Sequence, residues 1–192
     1  MIIYLVGLSC IGKSTIGRML AEKIGYSFFD LDEEIEKYYQ QPIERIQDEC
    51  YSMNGYRKKG SVVLDKLFSE TVDSVISGTP SGLKDSYLQV YKRHKEKELL
   101  SICLNDSFEN ILDRLTFYDK DSNPVTEKLD ESKKMRYLNE IRADHNYFKE
   151  SYQRADFQIN IENVKMEKIP DLIIEIIEVD ALMPAINTKH DL

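Results

Sequence analysis

Short apolar runs of strand length recur along this 192-residue chain, separated by stretches whose apolar positions fall three and four apart. Ile2-Ile3-Tyr4-Leu5-Val6 is continuous and rich in β-branched residues, the pattern of a strand buried on both faces. Comparable runs lie at 27–29, 72–77, 99–104 and 157–161. After the first run, Ile16, Met19, Leu20 and Ile24 share one face of a helix that ends near Gly25. Asp106-Ser107 opens a helix over 107–117 with Phe108, Ile111, Leu112 and Leu115 inward. A long charged helix follows at about 129–152, and a closing helix over 165–179 buries Ile169, Leu172, Ile173, Ile176 and Ile177. Strands alternating with helices predict an α/β fold built on a parallel sheet.

Two segments exceed what simple connections need. Residues 32–68 carry helical pattern broken near Gln41-Pro42 and Met53-Asn54-Gly55, which predicts an insertion with a task of its own. Residues 118–128, beginning Tyr118-Asp119-Lys120-Asp121-Ser122-Asn123-Pro124, are polar and turn-rich and read as an exposed mobile lid. One domain is expected over 1–180, followed by a loose tail at 181–192 that contains Met183-Pro184.

Composition narrows the partners. Hydrophobic residues make up 42% and charged residues 31%, as in ordinary globular proteins, and the net charge of -8 argues against a general nucleic-acid or anionic-membrane surface. No apolar run nears the roughly 20 residues of a membrane span, and the start lacks a signal-peptide pattern, so a cytoplasmic monomer acting on a small molecule is expected. Cys10, Cys50 and Cys103 are few and odd in number, which fits free thiols in a reducing compartment. Cys10 reads either as oxidation-sensitive or as a small, inert loop residue. His94, His145 and His190 form no metal-ligand spacing, and His94 is expected at a solvated helix end. The 12 tyrosines are scattered without a basic patch. Tyr38, Tyr39, Tyr51 and Tyr56 either wall a pocket or simply pack.

Between the first run and the first helix stands Gly7-Leu8-Ser9-Cys10-Ile11-Gly12-Lys13-Ser14, which fits G-x-x-x-x-G-K-[ST] in the strand–loop–helix context that the motif requires. Gly7 and Gly12 permit dihedrals and close approaches that a Cβ blocks. The amides from Cys10 to Thr15 can converge on phosphate at the positive end of the helix dipole. Lys13 brings a charge to the β/γ-phosphates, and the Ser14 hydroxyl helps to hold Mg²⁺. Gly7, Ser9, Cys10, Ile11, Gly12, Lys13, Ser14 and Thr15 are therefore the candidate ATP-binding residues. Arg114 either joins them from the base of the lid or forms a surface ion pair with Asp113 or Glu109.

After the second run comes Phe28-Phe29-Asp30-Leu31-Asp32-Glu33-Glu34-Ile35, which puts two acids at the carboxyl end of the sheet, where α/β proteins bind ligands. One carboxylate can orient Mg²⁺ while the other accepts a proton from an attacking hydroxyl. The same acids can instead cap a helix at 33–39.

Gly7 to Ser14, Thr15-Ile16-Gly17-Arg18, Leu20-Ala21 and Phe28 to Glu36 together resemble the shikimate kinase family, closely over 2–36 and more thinly to about 160. The resemblance implies a three-layer P-loop kinase fold, with a five-stranded parallel sheet in the order 2-3-1-4-5 flanked by helices, a substrate-binding insertion and a lid. It implies transfer of the γ-phosphoryl of ATP to shikimate, giving shikimate 3-phosphate and ADP. By the same resemblance Asp30 lies near Mg²⁺, and Asp32 contacts the acceptor hydroxyls and is catalytic with Lys13.

On the acceptor side the chain departs from that family. Tyr56-Arg57-Lys58-Lys59-Gly60 keeps the family's carboxylate-gripping arginine and loses the acid of its Phe-Arg-x-x-Glu stretch. Val75-Ile76-Ser77-Gly78-Thr79-Pro80-Ser81-Gly82 matches only Gly78 of three glycines, and Pro80 lacks an amide proton. Asn123-Pro124-Val125 replaces the lid's Arg-Pro-Leu, leaving Lys120 as the nearby cation. Arg142 matches the arginine of the last long helix, about five residues off its spacing from Ala155-Asp156, with Lys149 as a rival. Neither Asn nor Lys offers the planar fork of arginine. A kinase for another acceptor, gluconate-like or nucleotide-like, or a regulatory nucleotide-binding module without phosphotransfer are the alternatives.

Overall fold

The computed structural model describes residues 1–119, 121 and 123–182. Strand β1 (Ile2–Val6) is buried at every position, as its unbroken apolar run requires, and it sits at the centre of a five-stranded sheet. Parallel pairing sets it between β3 (Ser74–Ser77) and β4 (Leu99–Asn105). β2 (Ser27–Asp30) adds outside β3, and β7 (Phe157–Asn160) outside β4. The order β2-β3-β1-β4-β7 is the expected 2-3-1-4-5 once two short strands, β5 (Phe117–Tyr118) and β6 (Pro124–Val125), are counted separately.

Helices cover the sheet and continue the core. α1 (Lys13–Ile24) packs Ile16, Leu20 and Ala21 inward and ends at Gly25, whose φ of 73° is the left-handed C-cap that glycine accepts without strain. α8 (Ile169–Leu182), entered through a 3₁₀ turn at Met166–Lys168, packs against α1. The insertion folds as α2 (Leu31–Tyr39), α3 (Ile43–Asp48) and α4 (Met53–Glu70), followed after β3 by α5 (Ser86–Arg93). α6 (Phe108–Asp113) packs on α7 (Glu131–Tyr152).

Several boundaries differ from expectation for physical reasons. The third strand begins at Ser74 rather than 72, because Asp73 adopts φ 28° and its carboxylate accepts from the Met1 ammonium at 2.8 Å. The break expected near Met53-Asn54-Gly55 falls at 49–52, and those three residues form the first turn of α4, where the Ser52 hydroxyl accepts the Gly55 amide as an N-cap. The helix expected to 117 stops at Asp113, and Leu115 packs on the core from the following turn. Within the lid Phe117 pairs antiparallel with Val125, and Asp119 accepts the Asp121 and Asn123 amides at 2.9 and 3.0 Å. His94 is largely buried against Phe68 and bonds Asp65 at 2.7 Å, correcting the solvated helix end. The tail from residue 183 lies outside the described residues.

Gly60 shows how tightly the insertion packs. A Cβ there would overlap the Tyr87 hydroxyl and come within 3.0 Å of Ile35 Cδ1. Gly60→Ala is expected to destabilise the fold by about 1–3 kcal/mol, visible as a lower Tm, and Tyr87→Phe in the same background should return part of the loss.

Candidate active site

The loop after β1 has the backbone that its glycines permit. Gly7 leaves the strand at φ 142°, and a Cβ there would stand 2.8 Å from the Leu104 carbonyl oxygen on β4. Gly12 caps α1 at φ 105° and offers no side chain to it, so the amides of the first turn keep their hydrogen-bonding capacity for an anion. Cys10 takes φ 57° in the same loop, and Ile11 anchors the loop in the core. All three cysteines are free.

Lys13 is buried, and its Nζ donates to the carbonyls of Gly7 at 3.0 Å and Leu8 at 2.7 Å. Burial pushes its pKa down, opposed by the nearby Asp32 and Asp30 carboxylates. Ser14 Oγ donates to Asp30 Oδ2 at 2.5 Å and lies 3.2 Å from Ser77 Oγ at the end of β3. The other oxygen of Asp30 accepts the Asp32 amide at 3.0 Å, which makes Asp30 the N-cap of α2. One carboxylate oxygen of Asp30 thus caps α2, and the other is engaged by the Ser14 hydroxyl.

Asp32 follows in the first turn of α2, and its carboxyl is raised to about 7. Burial is the largest cause; the like charges of Asp30 and Glu36 add to it, and Lys13 and a hydrogen bond from Tyr56 oppose it. A carboxylate held there can take a proton from a hydroxyl at neutral pH.

Two adjoining cavities meet at this residue. The first, about 760 Å³, is lined by Ser9, Cys10, Gly12, Lys13, Ser14, Thr15, Gly78 and Arg114 among others. The second, about 940 Å³, is lined by Asp30, Glu33, Tyr56, Arg57, Thr79, Ser81, Tyr147 and Phe148 among others. Ser9, Ser14, Asp32, Pro80 and the lid's Tyr118 border both. The arrangement places a phosphate loop and a potential base in the wall between two chambers.

Arg114 belongs to the loop rather than to the surface. Its guanidinium donates to the Cys10 carbonyl at 3.1 Å and to the buried Asp106 at 2.5 Å, not to Asp113 or Glu109. Gly78 donates its amide to the Leu5 carbonyl and lies against the Tyr4 ring, where a Cβ would come within 2.7 Å. Arg57 is buried on α4 at the second cavity. Arg142 is not brought to either cavity: it stands over Phe108, 3.8 Å from Glu109 and 3.4 Å from Asn139 Oδ1. The displaced spacing puts it on the wrong face of α7, and Lys149 is exposed elsewhere on that helix. Lys120 lies outside the described residues. Of the insertion's tyrosines, Tyr56 lines the second cavity, whereas Tyr38 and Tyr51 are exposed and the Tyr39 hydroxyl bonds the Lys59 carbonyl.

Sequence reasoning missed Ser77, Ser81, Asp85 and Tyr147. Ser77 carried a signal, being polar at the end of an apolar strand at the sheet's carboxyl edge. The other three surround Arg57 through long-range contacts that no local pattern announces.

A parallel sheet in this order, with a glycine loop, a buried lysine and a recessed carboxylate at its carboxyl edge, defines a P-loop small-molecule kinase. The comparisons with known proteins carry this further. The family model described as shikimate kinase matches residues 9–178. The shikimate kinase of Persephonella marina is 31% identical over 167 residues, covering 83% of this chain and 88% of that protein. The crystal structure of shikimate kinase from Aquifex aeolicus superposes with a TM-score of 0.70 at 26% identity, covering 95% of this chain and 99% of that one. Shikimate kinase from Acinetobacter baumannii in complex with shikimate gives a TM-score of 0.75 at 24% identity, covering 94% of each chain, a likeness of fold. The chain belongs to the shikimate kinase family.

Proposed function

We propose that this protein transfers the γ-phosphoryl of ATP to the 3-hydroxyl of shikimate. The observation that carries the reading is the position of Asp32 in the wall shared by two cavities, with its carboxyl poised near neutrality. Ser9 to Thr15 and Lys13 hold the phosphates of ATP in the first cavity, and Arg114 fixes the loop through the Cys10 carbonyl. Shikimate occupies the second, its carboxylate directed at Arg57.

Ser14 and Asp30 fit Mg²⁺. They present a hydroxyl and a carboxylate oxygen 2.5 Å apart, and Mg²⁺ takes such hard oxygens together with water and substrate phosphates rather than an all-protein cage. Among the described residues no three His, Cys, Asp or Glu side chains form such a cage. When bound, the ion supplies positive charge against the phosphate oxygens.

Asp32 accepts the proton of the acceptor hydroxyl as that oxygen attacks phosphorus, and Lys13 stabilises charge developing on the phosphoryl oxygens. Tyr118 on the lid ribbon borders both cavities and helps to exclude water. No helix among the described residues is long and apolar enough to cross a membrane, and the free thiols support action in the cytoplasm.

A crystal soaked with ADP, Mg²⁺ and shikimate tests the acceptor. Density for shikimate with its carboxylate on Arg57 and a hydroxyl at Asp32 is the expected result. Ordered ADP with a second cavity that stays free of shikimate at saturating concentration would count against it.

A further inference from the structure

Arg57 is a cation with only 3% of its side chain exposed, and a buried charge of this kind needs a counter-charge. Its own helix does not provide one. The positions one turn away on either side are Met53, Asn54, Gly60 and Ser61, and at Gly60 the Tyr87 hydroxyl already fills the space where a side chain would begin.

The carboxylate comes from the loop after β3. Arg57 Nη1 donates to Asp85 Oδ2 at 3.0 Å, across 28 residues of sequence. Arg57 Nε donates to Ser81 Oγ at 3.0 Å, and Nη2 to the Tyr147 hydroxyl at 3.3 Å. Asp85 is the N-cap residue of α5, a position where aspartate ordinarily accepts an amide of its own helix, yet its side chain makes no capping bond. Its backbone stands at φ 51° and ψ -119°, which a glycine would adopt more readily. The aspartate there is thus aimed at Arg57 rather than at α5.

Direction matters as much as contact. Asp85 lines an outer cavity together with Lys58, Lys84 and Tyr147, and it is absent from the lining of the cavity that holds Asp32. Arg57 borders both. Asp85 thus meets the guanidinium at the outer cavity, Ser81 and Tyr147 hold its Nε and Nη2 at the Asp32 cavity, and one N–H on each Nη is left for a ligand.

We infer that Asp85 is a positioning residue for Arg57, holding the guanidinium fork in the orientation that receives the acceptor's carboxylate. This rests on the reading that Arg57 is the carboxylate anchor. A fork fixed before binding loses less entropy when a planar anion arrives, which is the advantage of a preorganised site.

The test compares the wild type with Asp85→Asn and Asp85→Glu. Steady-state kinetics gives KM for shikimate and for ATP, and ¹⁵N NMR of the unliganded protein follows the Arg57 side-chain signals, assigned by their loss in Arg57→Lys. Asp85→Asn should raise the shikimate KM by about tenfold or more while the ATP KM stays within about twofold, and Asp85→Glu should recover part of the affinity. The Arg57 Nη signals, distinct while the guanidinium is held, should broaden or merge in Asp85→Asn. An unchanged shikimate KM, unchanged Arg57 signals, or equal rises in both KM values with a lowered Tm would overturn the inference. A wild type that does not use shikimate overturns the acceptor assignment alone, and the Arg57 signals then decide the role of Asp85.

Discussion

Asp32→Asn is expected to lower kcat by about two to four orders of magnitude while the KM for ATP changes little, because the variant keeps the shape of the site and removes its proton acceptor. The wild type should show kcat/KM rising with pH through about 7, the value to which burial and Asp30 raise the Asp32 carboxyl. That ascending limb should vanish from the residual activity of the variant.

Stability carries a linked signature of opposite sign. A carboxyl raised from 3.8 to about 7 binds a proton in the folded state that the unfolded state releases earlier, so its contribution to stability falls as pH rises through that window. Asp32→Asn removes this loss. Its Tm relative to the wild type should therefore climb from about pH 4 to pH 7, with a gain bounded by roughly 4 kcal/mol. A variant that loses turnover while gaining stability at neutral pH marks Asp32 as a residue placed for chemistry rather than for the fold.

Lys13→Met should lower kcat by about two to three orders of magnitude, the scale for losing one preorganised donor at developing charge. The fold should survive, because burial already disfavours the ammonium and methionine fills a similar volume. The lysine also holds the Asp32 carboxyl down. The remaining activity of Lys13→Met should accordingly show its ascending limb displaced to higher pH, a coupling that titration of kcat/KM reads directly. An unmoved limb would mean that the two groups do not share one electrostatic site.

The donor half of the molecule was legible in the sequence because its determinants are local. Two glycines, a lysine and a serine at fixed spacing between an apolar run and an amphipathic helix leave little freedom for the backbone, and the structure brings Lys13, Ser14, Asp30 and Asp32 to one edge of the sheet. The parallel α/β architecture followed from the alternation of buried strands and helices, and the sheet order from the resemblance to the shikimate kinase family. The acceptor half was less legible because its geometry depends on distant residues. Arg57 is oriented by Ser81, Asp85 and Tyr147, from two other elements, and Tyr87 decides that position 60 carries no side chain. Arg142 looked suitable on residue type, yet the rotation of α7 turns it towards Glu109. The lid ribbon was hidden for another reason. Its two-residue strands show no periodicity, and between them Asp119 accepts the Asp121 amide.

Charge balance in the second cavity bears on substrate choice. Arg57 is the arginine of a lining that also carries Asp30, Asp32, Glu33, Glu36, Glu44 and Asp144, so an anionic acceptor is expected to lie with its carboxylate at Arg57 and its hydroxyls towards Asp32. That polarity suits a molecule with one carboxylate and hydroxyls on the opposite side of a small ring, and it disfavours acceptors carrying several negative charges.

The most direct measurement is turnover followed by ³¹P NMR, with the purified chain, ATP, Mg²⁺ and shikimate in one tube. Loss of the ATP γ-phosphorus signal should be matched by equal growth of ADP and of one phosphomonoester resonance that depends on shikimate. ATP consumption independent of shikimate, or no phosphomonoester at saturating shikimate, would contradict phosphoryl transfer to shikimate.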